Sequence, residues 1–258
     1  MLRAARTLGH DVSVVAIEDE AGPEIDGLAA ELGGCQVHWM SLGQLERCIR
    51  TFRAAGVSEA VMAGKVEHAR VFSNLQPDPM LQALLARLDA KTAEPLLAAV
   101  ARALGEHGIR LLDSTALLSS FLARAGQLSA RRPGDAMRRD FELGARIADG
   151  IAALDVGQAV VVKDGTVVAV EAMEGTDATI LRAGQVAGPG TRVIKVARPS
   201  QDMRFDVPVV GLSTIQAMRS ARADGLSIDA GRTLILDGPA FTAAADAAGI
   251  VVVARERS

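Results

Sequence analysis

Short runs of Val, Ile and Ala alternate with stretches of helical period through the first half of the chain. Residues 1–8, MLRAARTL, have the pattern of the tail of an amphipathic helix. Gly9-His10-Asp11 turns the chain into VSVVAI (12–17), a β-branched run bounded by turn residues. Helices are predicted at 24–32 and 41–55, the second with Ser41 as N-cap and Gly56 at its end. EAVMAG (59–64) reads as a buried strand. Residues 78–88 and 94–107 are helical in pattern, with Pro95 tolerated in a first turn. IRLLDS (109–114) is a further strand and 115–125 a last helix. Strands alternating with helices favour a parallel sheet covered on both faces, because a parallel crossover needs a helix-length connection.

The periodicity lapses at 126–135, where GQLSARRPGD mixes Gly, Ser, Pro and charge. This stretch is read as a linker between an N-terminal domain, 1–125, and a second domain, 136–258. The second domain opens with a helix at 136–153. QAVVVKDGTVVAVE (158–171) is a strong hairpin signal, since its β-branched runs flank Asp164-Gly165, a pair suited to a type I′ turn. TRVIKVA (191–197), VPVVGL (207–212), TLILD (233–237) and IVVVA (250–254) are further strands, and helices fit at 176–183, 213–223 and 239–248. The predicted class is therefore α/β: a parallel-sheet domain followed by a mixed α/β domain.

Composition narrows function more than fold. With 49% apolar and 23% charged residues over 258 positions, the chain has the profile of two globular domains. One Trp and no Tyr leave no aromatic platform for single-stranded nucleic acid. A net charge of -3 offers no basic surface, so no nucleic-acid partner is expected. Cys35 and Cys48 lack zinc-site spacing and read as reduced thiols of a cytoplasmic protein. No apolar run approaches the roughly 20 residues that cross a bilayer. Residues 1–8 lack the apolar core of a signal peptide. The expected place is the cytoplasm.

Two stretches concentrate polar chemistry. Glu171-Ala172-Met173-Glu174-Gly175-Thr176-Asp177 leaves a strand and opens a helix. Its glycine lets backbone approach a ligand, and Thr176 can cap the helix with N–H groups facing an anion. Glu171, Glu174 and Asp177 either supply oxygen ligands to Mg2+ or simply favour a helix N-terminus. The second stretch, Lys195 to Pro208 (KVARPSQDMRFDVP), alternates cations with carboxylates before an apolar run. Phosphoryl chemistry uses that mixture, cations to offset developing charge and carboxylates to hold metal or orient water. A solvated loop of surface ion pairs carries the same composition. In the first domain AGKVEH (63–68) follows a strand, and Lys65 can meet a phosphate at a strand's carboxyl end. The stretch is not a nucleoside-triphosphate loop, because G-x-x-x-x-G-K-[ST] is absent. No G-x-S-x-G or G-x-G-x-x-G occurs, and His10, His38 and His107 show no metal spacing.

AGKVEH (63–68), QLSARRPG (127–134), LDVGQAVVVKDGTVVAVEAMEGTDATILRAG (154–184), KVARPSQDMRFDVPVVGLSTI (195–215) and AGRTLILD (230–237) together resemble the LpxI-type UDP-2,3-diacylglucosamine pyrophosphatase family. The resemblance implies a Rossmann-like N-terminal domain and a family-specific C-terminal catalytic domain. It implies Mg2+-dependent attack of water on the pyrophosphate of UDP-2,3-diacylglucosamine, at the sugar-side phosphorus. The products would be UMP and 2,3-diacylglucosamine 1-phosphate (lipid X), a step of lipid A biosynthesis. The family's essential aspartate matches Asp206 in RFDVP, and its EGTDA segment matches 174–178. Chemistry then assigns Glu171, Glu174, Asp177 and Asp202 as metal ligands, and Lys65, Thr176, Lys195, Arg198 and Arg204 as substrate-binding groups. The implied partners are a lipid-linked sugar nucleotide and the inner-membrane surface.

The chain departs from the family pattern in two places. Members usually begin with a strand and a glycine-rich loop, whereas this chain opens inside the following helix, so the first strand is expected to be missing. An unpaired edge beside VSVVAI would invite association, which makes a homodimer a candidate assembly. The acidic pair often found before the helix at 94–107 is here Ala93-Glu94. Two other functions share the same residues: a pyrophosphatase acting on a soluble sugar nucleotide, and a non-catalytic binding module.

Overall fold

The computed structural model describes residues 1–64, 76–88, 93–199 and 201–257. The chain divides into two compact units, Met1–Leu117 and Leu118–Ser258.

The first unit runs α1 (Leu2–Thr7), β1 (Val12–Ile17), α2 (Glu24–Leu32), β2 (Cys35–Met40), α3 (Leu45–Ala54), β3 (Glu59–Ala60), α4 (Pro79–Leu85), α5 (Ala93–Glu106) and β4 (Arg110–Leu111). β1 pairs in parallel with β2 from Val12↔Cys35 to Ile17↔Met40, and β3 pairs in parallel with β4. The parallel α/β character expected from the sequence is therefore present. CQVHWM, which forms β2, is not among the strands that the sequence predicts. Its Gln and His interrupt the apolar run, and the parallel register with β1 makes it a strand. VSVVAI consequently has a partner along one edge. The runs at 59–64 and 109–114 contribute only two paired residues each.

The second unit is ordered β5 (Gly126–Gln127), α6 (Asp135–Ala153), β6 (Ala159–Lys163), β7 (Thr166–Val170), α7 (Thr176–Ala187), β8 (Arg192–Lys195), β9 (Val209–Val210), α8 (Leu212–Ala221), β10 (Gly225–Asp229), β11 (Leu234–Ile235), α9 (Pro239–Ala247) and β12 (Val251–Arg255). Six strands form one mixed sheet in the order β5-β12-β10-β8-β6-β7. β8, β10 and β12 are mutually parallel, while β5, and β6 beside β8, run antiparallel to their neighbours. Alternation along β6 sends Val160 and Val162 to one face and Val161 to the other. On the first face they meet Met137, Phe141, Ala145 and Ala148 of α6. On the opposite face Val161, Val193 and Leu226 pack with Ile180, Met218 and Phe241 of α7, α8 and α9.

The hairpin forms where expected. Asp164 and Gly165 both take positive φ, 48° and 76°, as a type I′ turn requires. Buried Asp140 of α6 holds this turn by accepting from the Asp164 and Gly165 amides at 3.1 and 2.7 Å. Other elements differ from expectation. GLSID, the fully buried β10, is not among the predicted strands, because a glycine and a serine break its apolar run. The runs at 207–212 and 233–237 shrink to β9 and β11, which pair with each other apart from the main sheet. The helix expected at 115–125 is only a 3-10 turn at Ser119–Phe121. Just beyond it Ala123 pairs with 231–233: its N–H donates to Thr233 and its carbonyl accepts from Gly231. That pairing draws the backbone out of a helix. The stretch 126–135 is held against the second unit. Gly126 and Gln127 pair with β12, the Val252 amide donates to Ser129 Oγ at 2.8 Å, and the Ala130 amide donates to Asp246 at 2.7 Å.

Candidate functional site

The carboxyl ends of β8, β10 and β12 lie at one end of the sheet, with the start of β6 and the end of β7 beside them. Open α/β sheets bind ligands at this end, because the chain leaves the strands there in loops that no longer owe their polar groups to a ladder. Both polar stretches singled out in the sequence emerge here, one after β7 and the other after β8.

The loop after β7 is fixed by its own carboxylates. Glu171 is buried; it accepts from the Gln158 amide at 3.2 Å and from the Thr176 hydroxyl at 2.8 Å. Gly157 lets the two chains close up, since a Cβ there would lie 2.1 Å from the Glu171 carbonyl oxygen. Glu174 accepts from the Ala172 amide, the Thr179 hydroxyl and the Arg182 guanidinium. Its own backbone N–H and then Arg182 are the largest of the contacts that hold its pKa down at about 2. Thr176 is not the cap of α7. Gly175, at φ 83°, takes that position without a side-chain bond, and Thr176 turns its hydroxyl to Glu171 instead. Asp177 lies in the first turn of α7, where a negative charge suits the helix dipole.

In the loop after β8, Lys195 is buried and donates to the Val209 carbonyl at 2.9 Å, tying the strand end to the far end of the loop. Arg198 pairs with Asp155 at 2.9 Å and with Asp206 at 3.5 Å. The Asp206 side chain keeps 42% of its surface open. Arg204 folds back on Asp202, and the guanidinium, first through its hydrogen bonds, holds that carboxyl below its ordinary range. Because Val196 donates to the Gln158 carbonyl, the Glu171–Thr176 pair, the 155–158 turn and the Arg198–Asp206 pair form one connected corner. Among the described residues, Gln158 Oε1, Arg198 Nε and Gln201 Nε2 are buried without a hydrogen-bond partner. Buried polar atoms rarely stay so, and these are groups a polar ligand would satisfy.

Among the described residues, the corner holds no ready-made shell for Mg2+. Glu171, Glu174 and Asp202 already spend their oxygens on protein donors. Among the described residues no group of three or more His, Cys, Asp or Glu is placed to hold a metal ion. Lys65 and His68 lie outside the described residues. Gln158 and Asp155 carry no functional mark in the sequence, because their partners Glu171, Val196 and Arg198 come from neighbouring strand ends farther along the chain. Beside the corner a groove of about 920 Å³ is bordered by Arg124, Pro199, Arg232 and Arg257. No helix among the described residues is long and apolar enough to cross a membrane.

The model of the LpxI N-terminal domain matches residues 1–121, and that of the LpxI C-terminal domain matches 124–253. A relative from Caulobacter vibrioides (strain ATCC 19089 / CIP 103742 / CB 15), named UDP-2,3-diacylglucosamine pyrophosphatase LpxI, is 30% identical over 257 residues, spanning 95% of this chain and 89% of its own.

Proposed function

The chain belongs to the LpxI family, and on that premise we propose that it hydrolyses the pyrophosphate of UDP-2,3-diacylglucosamine to UMP and 2,3-diacylglucosamine 1-phosphate in lipid A biosynthesis. The observation that carries the reading is the half-open Asp206 carboxylate, 3.5 Å from the Arg198 guanidinium at the carboxyl end of the sheet. In this reading Asp206 accepts a proton from the attacking water. The new bond forms between that oxygen and the sugar-side phosphorus. The bridging P–O bond breaks, and UMP leaves with its electron pair. Arg198 offsets charge that develops on the phosphoryl oxygens, as a fixed cation does best in a partly dehydrated site. The start of α7, capped without a side chain, adds N–H groups suited to an anion.

Mg2+ is part of this proposal as an ion that arrives with the substrate. Mg2+ usually keeps several waters and is bound through one or two carboxylates plus substrate phosphates, so a missing protein cage is compatible with it. Its chemistry would be to neutralise pyrophosphate charge. Leu154, Val156 and Met173, on adjoining loops of the same corner, are 75%, 52% and 96% exposed. Apolar loop tips of this kind suit the surface of the inner membrane, from which a lipid-linked substrate would be drawn.

The test is incubation with UDP-2,3-diacylglucosamine and Mg2+, with UMP and the acylated sugar phosphate as readouts. EDTA should stop turnover and Mg2+ restore it, whereas Mg2+ should bind substrate-free protein weakly in calorimetry. A parallel assay on UDP-N-acetylglucosamine separates lipid from soluble substrates. No UMP from the lipid substrate, or equal rates on both, would refute the reading.

A further inference from the structure

The backbone of Val196 and Ala197, leading into Arg198, is gripped by groups at the ends of β6, β10 and β12. β8 ends at Lys195, and Val196 and Ala197 continue its line fully buried. The Val196 N–H donates to the Gln158 carbonyl at the start of β6 at 2.8 Å. The Ala197 N–H donates to Asp229 Oδ2 at the end of β10 at 2.8 Å. The Ala197 carbonyl accepts from Arg257, just past β12, at 2.7 Å. Charged side chains thus replace the backbone ladder at the point where the chain leaves the sheet.

These charges are themselves held. Asp229 is completely buried, and its second oxygen accepts from Arg255 Nε at 2.6 Å. Arg255 makes a two-pronged pair with Asp149 of α6 at 3.0 and 2.6 Å, and Arg257 approaches the same carboxylate at 3.5 Å. A buried carboxylate is costly unless paired and hydrogen-bonded, and a cheaper way to hold an ordinary loop is available in apolar packing. What this arrangement adds is direction. Charge-assisted bonds to both the N–H and the C=O of one residue fix the rotation of its peptide planes, and therefore the direction in which Arg198 departs.

We infer that Asp229 and Arg257, backed by Arg255 and Asp149, are positioning residues that set the Arg198–Asp206 pair through the Ala197 peptide. The inference rests on the proposed role of that pair. A small misplacement of a reacting group carries a large cost in rate, because the ordered geometry is what makes the step effectively intramolecular. Arg257 is the member to test, since it is partly exposed and its loss leaves Asp229 paired with Arg255.

Arg257→Met should lower kcat by about tenfold with KM within about twofold of wild type. Arg257→Lys, which keeps one donor for the Ala197 carbonyl, should recover most of the loss. In an Arg198→Met background, Arg257→Met should cost less than about twofold more, because both act through one unit. Hydrogen exchange of the 193–205 segment should quicken in Arg257→Met, a readout independent of turnover. If Arg257→Met does not fold, Arg257→Gln, polar but without the charge and the reach of the guanidinium, carries the same comparisons. Unchanged exchange at 193–205 overturns the inference. So does a rise in KM alone, which would make Arg257 a direct substrate contact, or an undiminished effect without Arg198. Wild-type protein that makes no UMP while Arg257→Met still loosens 193–205 would instead fault the proposed reaction and leave the positioning intact.

Discussion

Replacing Glu171 with Gln and with Ala should produce two different losses, and neither should be loss of a metal. In the structure Glu171 is 6% exposed, one oxygen serving the Gln158 amide and the other the Thr176 hydroxyl. Gln keeps one carbonyl acceptor for the Gln158 amide, and the Thr176 hydroxyl can rotate to accept from the new amide. The cost is one weakened hydrogen bond, about 0.5–1.5 kcal/mol. Ala leaves the Gln158 N–H without a partner, about 1–3 kcal/mol, and removes a buried methylene worth about 0.8 kcal/mol. At about 2–4 °C per kcal/mol for a unit of this size, Ala should lower the unfolding midpoint by roughly 5–10 °C and Gln by clearly less. Circular dichroism on heating reads the midpoint, and UMP release reads turnover. Turnover of Glu171→Gln should stay within about tenfold of wild type, a barrier change of no more than about 1.4 kcal/mol. A ligand to an essential Mg2+ behaves otherwise, because an amide oxygen lacks the charge that holds the ion. Glu171→Gln with an unchanged midpoint and turnover down by about a thousandfold would falsify the structural reading and return Glu171 to the metal.

Three further outcomes are expected. Asp206→Ala should cut kcat by at least about a hundredfold, about 2.7 kcal/mol, with little change in midpoint, since its long ion pair with Arg198 is partly exposed; a loss below tenfold would make the residue structural. Glu174 has a folded pKa of about 2 against an ordinary 4.5, so its contribution to stability is present above pH 4.5 and is lost as pH falls through that window toward 2. The stability gap between wild type and Glu174→Gln should accordingly close over that range, and a gap that widens on acidification would contradict it. Gly184→Ala should destabilise: a Cβ would sit 2.7 Å from Ala221 Cα and 2.8 Å from its carbonyl oxygen, backbone atoms of α8 that cannot swing aside. The strain of about 1–3 kcal/mol should outweigh the roughly 1 kcal/mol that Ala gains in a helix, and a higher midpoint would show that α7 moves freely.

What the amino-acid string determined by itself was local. The hairpin at 158–171 was legible because its turn chemistry and its β-branched flanks lie within a few residues of each other. The long helix near 136–153 and most of the others were legible for the same reason, as were RFDVP and the surrounding strings that mark the family. Tertiary structure decided whatever depends on a distant partner. CQVHWM and GLSID became strands because β1 and β8 offered them parallel edges. The helix expected at 115–125 gave way to pairing with 231–234, and 126–135 wrapped along β12. The carboxylates divided in the same way. Their number beside a helix start was visible in the sequence. That Glu171 holds Gln158 and Thr176, and that Glu174 holds Arg182, follows from strand neighbours and a helix turn that bring donors within reach. Asp229 carries no mark in the sequence, and only the ends of β8 and β10 place it against the Ala197 peptide. A carboxylate's role depends on which donor stands 3 Å away, and in a sheet that donor comes from another strand.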